Sequence, residues 1–381
     1  MKKTNGNSLR IAMFGHKRIP SREGGIEVVV GELSRRMAGL GHPVTCFNRS
    51  GHHVSGAAFD GENRKEYEGV RLKSVWTLNK KGLAAMTASL SAAVLAAFGP
   101  YDAVHVHAEG PAFMCWLPKL MGKRVVVTVH GLDWARAKWG KFASWYIKSG
   151  EKNAVRFADE IIVLSRAVQD YFQRTYGRKT RFIPNGVNPP ELLEPEEIRD
   201  RWGLEKDGYV LFLGRLVPEK GIHYLLKAYQ GLRTDKKLVI AGGSSDTAEY
   251  AKELQALAPA GTVFTGFLQG RALQELYSNA YVYVLPSDLE GMPLTLLEAM
   301  NYGCCCVTSD IGECADVMDG CGFTFPRGTV EALRETLQDL CDHPEKVEAH
   351  RGEARKVISS KYTWQDITAQ TDGLYKKLLG D

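Results

Sequence analysis

The sequence predicts an α/β protein of two domains, each built on a parallel sheet with crossover helices. Its 381 residues exceed what one ordinary core accommodates and suit two domains of similar size. A strand–loop–helix–strand unit is legible near each end, at 9–48 and again at 281–310. The charge is also divided. Residues 1–190 hold 29 basic and 14 acidic side chains, the remainder 20 and 30. The shift falls at Pro189-Pro190, before the acidic run 191–200. The predicted division is therefore 1–190, 191–362 and a terminal helix at 363–381.

Residues 9–14 (LRIAMF) read as the first strand, ending at Gly15-His16. The loop 17–23 is rich in charged and turn residues, and Gly24-Gly25 opens a helix to about Leu40. GHPV at 41–44 leads into a strand at 44–48. Such a βαβ unit binds phosphates through loop amides at its switch point. The loop has neither G-x-G-x-x-G nor G-x-x-x-x-G-K-[ST], so dinucleotide and P-loop fingerprints are missing. A plain tight turn explains the glycine pair equally well.

Strands are predicted at 70–75, 103–107, 124–129 and 160–165. His105 and His107 share one strand face and Glu109 follows; a metal site is conceivable there, against ordinary structural histidines. His130-Gly131 ends the buried strand RVVVTV, at the sheet end where open α/β sheets bind ligands. The longest apolar run, 83–98, is interrupted by Thr87, Ser89 and Ser91 and falls short of the ~20 residues of a membrane span. It is expected to be a buried amphipathic helix. Residues 134–148 (WARAKWGKFASWYIK) interleave five aromatic residues with Arg136, Lys138, Lys141 and Lys148. They suit an amphipathic helix with an aromatic core face, or a contact with anionic lipid. No nucleic-acid motif accompanies them. Asn185-Gly186 is a turn signal.

The second domain begins with a strand at 209–213, followed by Gly214-Arg215 and Lys220-Gly221. Arg215 and Lys220 suit one diphosphate, arginine as a planar fork and lysine as a point charge. Further strands are expected at 237–241 and 263–265, with Phe267 after the latter. The stretch 287–310 (SDLEGMPLTLLEAMNYGCCCVTSD) follows a strand at 281–286. Pro293 is expected at the first position of a helix, whose free amides offer an anion site beside Gly291, Met292 and Leu294. Glu290 and Glu298 frame this unit, and carboxylates accept well from paired sugar hydroxyls. A solvated helix face is the plainer reading of two glutamates at that spacing.

Hydrophobic content of 44% and charged content of 24% are those of a globular enzyme. The eight cysteines show no C-x-x-C pair and read as reduced, buried thiols of a cytosolic protein. Residues 1–8 are polar, with no signal peptide legible. The basic first half points to an anionic partner, and a membrane surface is preferred to nucleic acid.

EGMPLTLLE at 290–298 resembles the E-x7-E motif of retaining glycosyltransferases of family 4, which have the GT-B fold. GRLVPEKG at 214–221 resembles the family's phosphate-binding segment, GGIE at 24–27 its donor loop, and IPNGV at 183–187 its hinge approach. The resemblance runs over nearly the whole chain from Leu9; GCCCVTSD departs from the small-Pro-Val run usual there. SREGGIE together with 134–148 resembles a rhamnosyltransferase-like subgroup that builds bacterial surface polysaccharides on lipid-linked acceptors.

The resemblance implies two facing Rossmann-like domains, a cleft between them, gating by domain motion and a terminal helix crossing back to the first domain. It implies retaining transfer from a nucleotide-activated sugar, UDP- or dTDP-linked, to a saccharide acceptor. Arg215 and Lys220 would stabilise the departing diphosphate, and Glu298 would hold the ribose. Glu290 and His130 would hold the donor sugar, beside the amides of Gly291–Leu294. Gly24 and Gly25 would approach the phosphates. Phe267 lies where the family holds the base, and Asn185 at the approach to the cleft. No D-x-D motif is present, so no metal or other cofactor is required. The expected location is the cytoplasm, at the inner face of the plasma membrane. Two alternatives stand beside this reading: a sugar-nucleotide epimerase or hydrolase of the same fold, and a non-catalytic sugar-nucleotide sensor.

Overall fold

The computed structural model describes residues 8–51, 64–78, 80, 82–135, 139–243 and 248–380. The chain divides into two units, Met1–Asn185 with Trp364–Asp381, and Gly186–Thr363.

The first unit carries β1 (Ile11–Phe14), β2 (Val44–Arg49), β3 (Glu66–Tyr67), β4 (Val70–Val75), β5 (Ala103–His107), β6 (Arg124–Val129), β7 (Glu160–Val163) and β8 (Arg181–Phe182). Their sheet order is β3-β4-β2-β1-β5-β6-β7-β8. Only β3 and β4 pair antiparallel; the other neighbours are parallel. Strand composition follows from this. A parallel sheet covered by helices on both faces needs continuous apolar runs, and β6 is buried along its length after Arg124. Phe14, Val104, Val127, Ile161 and Phe172 meet in one core with the alanine face of the Leu83–Phe98 helix.

The second unit carries β9 (Tyr209–Leu213), β10 (Lys237–Ala241), β11 (Val263–Gly266), β12 (Val282–Leu285), β13 (Cys305–Ser309) and β14 (Phe323–Phe325). All are parallel, in the order β11-β10-β9-β12-β13-β14. In each sheet the strand order reverses direction beside the first strand, between β1 and β5 and between β9 and β12. Crevices at the carboxyl ends of such strands are where open α/β sheets take ligands.

The terminal helix, Trp364–Leu379, packs on the Gly25–Gly39 helix of the first unit. His42 Nε2 meets Asp372 at 2.9 Å, and Tyr375 OH meets His105 Nδ1 at 2.6 Å. His105 Nε2 pairs with the Thr128 hydroxyl at 2.7 Å. With both ring nitrogens committed and burial pushing its pKa down to about 3, His105 is a neutral pin between sheet and helix. It has no free nitrogen for a metal.

Local structure departs from expectation in three places. The Leu83–Phe98 helix buries Ala88, Ala92, Ala93, Ala96 and Ala97 but exposes Leu83, Leu90, Val94, Leu95 and Phe98. It is half-buried, because only the alanines are small enough to seat it close to the sheet. The aromatic stretch is not one helix: a 3-10 turn at Asp133–Ala135 precedes a helix at Lys141–Phe157. Arg136 and Lys138 lie outside the described residues. Tyr146 and Ile147 make the core face there, while Trp139, Phe142 and Trp145 are exposed. Finally, Pro293 occupies the cap position, with ψ of 102°, and the helix begins at Leu294. No helix among the described residues is long and apolar enough to cross a membrane.

Candidate active site

In the second unit, the chain leaves β9 at Gly214-Arg215 and reaches Gly221 through a 3-10 turn, Pro218–Lys220. Gly221 has φ of 64°, and a Cβ there would lie 1.9 Å from the Pro286 carbonyl oxygen. Only glycine permits both the left-handed conformation and that approach. The contact ties the turn after β9 to the end of β12. It sets Lys220 Nζ 2.6 Å from Glu290 Oε1, with both side chains largely buried. Ser287 Oγ donates to the same carboxylate oxygen at 2.6 Å. Glu290 thus has a cation and a hydroxyl on one oxygen. Among the described residues the half-buried Arg215 guanidinium makes no hydrogen bond or ion pair, so its five donors stay available.

Glu298 lies in the Leu294–Asn301 helix, half-buried, with Oε2 accepting from Tyr277 OH at 3.1 Å. The Tyr277 ring stacks on Tyr302, centroids 5.3 Å apart. Tyr283 OH donates to Thr295 Oγ1 at 2.8 Å, fastening the first turn of the helix to β12. Gly291, Met292 and Pro293 are buried between these anchors. Phe267 is half-buried just after β11. The structure therefore brings Lys220 and Glu290 into contact at the carboxyl end of this sheet, with Arg215 on the same β9-to-helix turn. Glu298 sits further along, in the helix that follows Glu290.

Three histidines stand in the first unit at the carboxyl ends of β1, β5 and β6. Gly15, with φ of +113°, passes so close to β5 that a Cβ would lie 2.0 Å from the His107 carbonyl oxygen. His107 Nδ1 and His130 Nε2 are 3.1 Å apart. His16 Nε2 meets Asn48 Oδ1 at 3.0 Å. Burial pushes His130 and His16 down to about 4, and His107 well below its ordinary value. All three rings are neutral at physiological pH. His130 is therefore available as an uncharged hydrogen-bonding group.

The glycine loop differs from a bare amide cradle. Glu27, in the first turn of the Gly25–Gly39 helix, is buried and accepts from Lys17 N–H at 2.8 Å. A Cβ on Gly24 would lie 2.3 Å from Glu27 Oε2, so glycine there gives this carboxylate its room. A buried carboxylate is a poor neighbour for phosphate, and Glu27 fills part of the space beside Gly24. Asn185, the last residue of the first unit, is buried.

The loop bearing His130 is held by a pair of buried acids. Glu109 Oε2 accepts from Asp133 N–H at 2.8 Å, and Glu151 Oε2 from Trp134 Nε1 at 3.0 Å. Glu151 also receives Lys148 Nζ at 2.8 Å and the Tyr171 and Tyr176 hydroxyls. Burial, then its contact with Glu151, raises the Glu109 pKa well above the carboxylate range. Burial alone would raise Glu151 too, but hydrogen bonds from Glu109 and Lys148 outweigh it and keep it ionised. Glu109 is thus protonated beside an ionised Glu151. No motif marks this network. Its members lie far apart in the chain, as do Tyr277 and Glu298.

Residues 194–357 match the family model for glycosyl transferases group 1, and residues 23–191 match that for glycosyltransferase family 4. The chain belongs to the glycosyltransferases of family 4. This transferase is 28% identical to alpha-maltose-1-phosphate synthase of Mycolicibacterium smegmatis, over 68% of its own chain and 74% of the relative's. It is 27% identical to glycogen synthase of Mycobacterium tuberculosis, over 96% and 94% of the two chains. Among solved structures, sucrose-phosphate synthase from Thermosynechococcus elongatus aligns over 97% of this chain and 99% of that one, with a TM-score of 0.79 at 22% identity. Anabaena HepE, solved with UDP and glucose, aligns over 97% and 100%, with a TM-score of 0.80 at 17% identity. These likenesses establish the transferase's fold as GT-B, with two Rossmann-like parallel sheets.

Proposed function

We infer that the transferase moves a sugar, with retention, from a nucleoside-diphosphate sugar to a saccharide acceptor, and that this acceptor is lipid-linked. The observation that carries the reading is the grouping on the second sheet: Lys220 on Glu290, an uncommitted Arg215, and Glu298 oriented by Tyr277.

In this reading Arg215 and Lys220 hold the diphosphate and stabilise the charge that grows on it as the glycosidic bond breaks. Glu298 accepts from the ribose hydroxyls. Glu290 and the neutral His130 hold hydroxyls of the donor sugar, beside the 291–294 segment. The acceptor hydroxyl attacks the anomeric carbon on the face the phosphate leaves. The bond from carbon to acceptor oxygen forms as the bond to phosphate oxygen breaks, and the acceptor proton passes to that phosphate oxygen. Two cationic side chains do the electrostatic work here, and no metal is required. Residues 183–187, with Asn185, form the approach to the second unit, and Phe267 flanks the base. The relatives named above lend no support to rhamnose, which stays a candidate on SREGGIE and 134–148 alone. The site of action assigned is the cytoplasmic face of a membrane.

Calorimetric titration of UDP, dTDP, GDP and ADP into wild type and Glu298→Ala tests the donor site. One nucleotide is expected to bind, and the substitution to weaken it by roughly 1.5–3 kcal/mol, as for a lost hydrogen bond to a charged group. No binding, or no effect of Glu298→Ala, overturns the assignment. Donor consumption undiminished without any acceptor would identify a hydrolase or epimerase instead.

A further inference from the structure

The Leu83–Phe98 helix has no charged residue, and its outward side exposes Leu83, Leu90, Val94, Leu95 and Phe98, the last 70% exposed, with half-buried Thr87 and Ser91 between them. Their spacing places them on one side of the helix. The stripe does not stand alone. Trp76, 64% exposed, lies beside it, since Ser91 Oγ donates to the Trp76 carbonyl at 3.1 Å. The Trp116–Leu120 helix packs alongside and exposes Leu120 and Met121. Most of the large exposed apolar side chains of the described residues are gathered in this one region. Monomeric proteins rarely leave so many adjacent large apolar groups in water without a use for them.

The charge around the stripe decides what covers it. Residues 69–101 and 110–132 carry seven Lys and Arg residues and not one Asp or Glu. Lys80 sits at the start of the helix, where its carbonyl accepts from Leu83 and Ala84. Lys123 sits just past the end, its Nζ on the Gly99 and Tyr101 carbonyls. Arg71 and Lys73 share the face of β4 that holds Val75, and Val75 packs in the core with Ala88 and Ala92 of this helix. Of the nearby carboxylates, Asp102 is engaged by Arg10 and Asp159 by Lys119, while Glu66 of β3 lies opposite Arg71 and leaves the cations in excess. A second copy of the chain, brought up by a two-fold axis, would set these cations against themselves. An anionic surface with an apolar interior satisfies both features at once: apolar side chains enter the acyl boundary, an aromatic ring sits at headgroup level, and Lys and Arg meet the phosphates.

We propose that the face formed by the Leu83–Phe98 helix, Trp76 and the flanking lysines and arginines docks this protein on an anionic lipid bilayer. The dock is distinct from the aromatic stretch at 139–145, where Lys148 is consumed by Glu151. It deepens the lipid-linked part of the proposed function and involves none of the donor-site residues.

The test is sedimentation of the full chain with phosphatidylcholine vesicles, with and without phosphatidylglycerol. Wild type is compared with Leu90→Glu/Phe98→Glu and with Lys73→Glu/Lys80→Glu. Each variant is expected to bind mixed vesicles at least about tenfold more weakly than wild type. Wild type should bind neutral vesicles poorly. Trp76 emission should shift to the blue with mixed vesicles, read as the difference from Trp76→Phe. Nucleotide binding by calorimetry should be unchanged in both double variants; this verifies folding and separates failure of the dock from failure of the transferase reading. Equal vesicle binding by wild type and variants overturns the proposal, as does equal affinity for neutral and anionic vesicles. So does a wild-type dimer in sedimentation velocity that Leu90→Glu/Phe98→Glu dissociates, which would assign the stripe to a second copy.

Discussion

Replacing Glu290 by glutamine should tighten the binding of a nucleoside diphosphate while abolishing efficient transfer. In the protein without donor, Lys220 Nζ is held 2.6 Å from Glu290 Oε1. A diphosphate recruiting that ammonium must draw it from a carboxylate and then lie beside the carboxylate left behind. The glutamine amide removes the ionic bond and the repulsion, and its Oε1 still accepts from Ser287 Oγ. A hydrogen bond between charged groups is worth about 1.5–3 kcal/mol net, so the dissociation constant should fall roughly tenfold to a hundredfold. The gain applies to the diphosphate alone, because the intact donor also loses a carboxylate partner for its sugar. Leaving Lys220 without its counter-charge costs stability, about 3–5 kcal/mol for a buried pair, so urea unfolding should accompany the titration. Calorimetry with the nucleotide that wild type binds, together with an initial-rate assay, gives both numbers. Weaker diphosphate binding by a folded Glu290→Gln would refute the competition. It would mean that Glu290 steadies Lys220 for the phosphate.

Tyr277→Phe removes the hydroxyl that orients Glu298 and should weaken the nucleotide by about 1 kcal/mol, less than Glu298→Ala; an effect as large would make Tyr277 itself a ligand. Gly221→Ala places a Cβ 1.9 Å from the Pro286 carbonyl in a left-handed conformation, and should cost at least about 3 kcal/mol in urea unfolding; a neutral result would mean the β9 turn can withdraw from β12. The acid pair gives a pH signature. The Glu109 pKa is raised on folding, so its contribution to stability is complete below the unfolded pKa and declines as pH rises toward the folded one. Glu109→Gln keeps a neutral group beside Glu151 and should flatten that decline on the alkaline side; parallel stability curves would show that Glu109 titrates alike in the folded and unfolded chain. Glu151 is shifted the other way, so its contribution holds above the unfolded pKa and is lost as pH falls. Glu151→Gln should therefore destabilise at neutral pH, by roughly 2–3 kcal/mol.

What could be read in the chain were features whose physics is local. The strands RVVVTV and YVLFL, the glycines that open turns and the acid-framed helix at 290–298 are set by neighbours a few residues away. Periodicity and turn chemistry therefore reveal them. The GRLVPEKG and EGMPLTLLE segments also place two cations and two carboxylates in the same unit. Burial class was harder. The Leu83–Phe98 helix carries apolar residues on every side and no charge, so little that is local says which side meets the sheet. Seating depth against β1, β2 and β4 chose the alanines and left the leucines in water.

Pairing was decided by tertiary structure alone. Lys220 and Glu290 are seventy residues apart, and they meet because parallel strands β9 and β12 are neighbours whose carboxyl ends Gly221 allows to touch. Glu27 fills the glycine loop because the helix start folds back over Gly24, which a motif search for free amides does not register. His105 is pinned by Tyr375 from the far end of the chain, and Glu109 is raised by Glu151 across a helix interface. Sequence spacing carries propensity and period. Which charges meet, and which are left for a ligand, depends on distances created only when the sheets close.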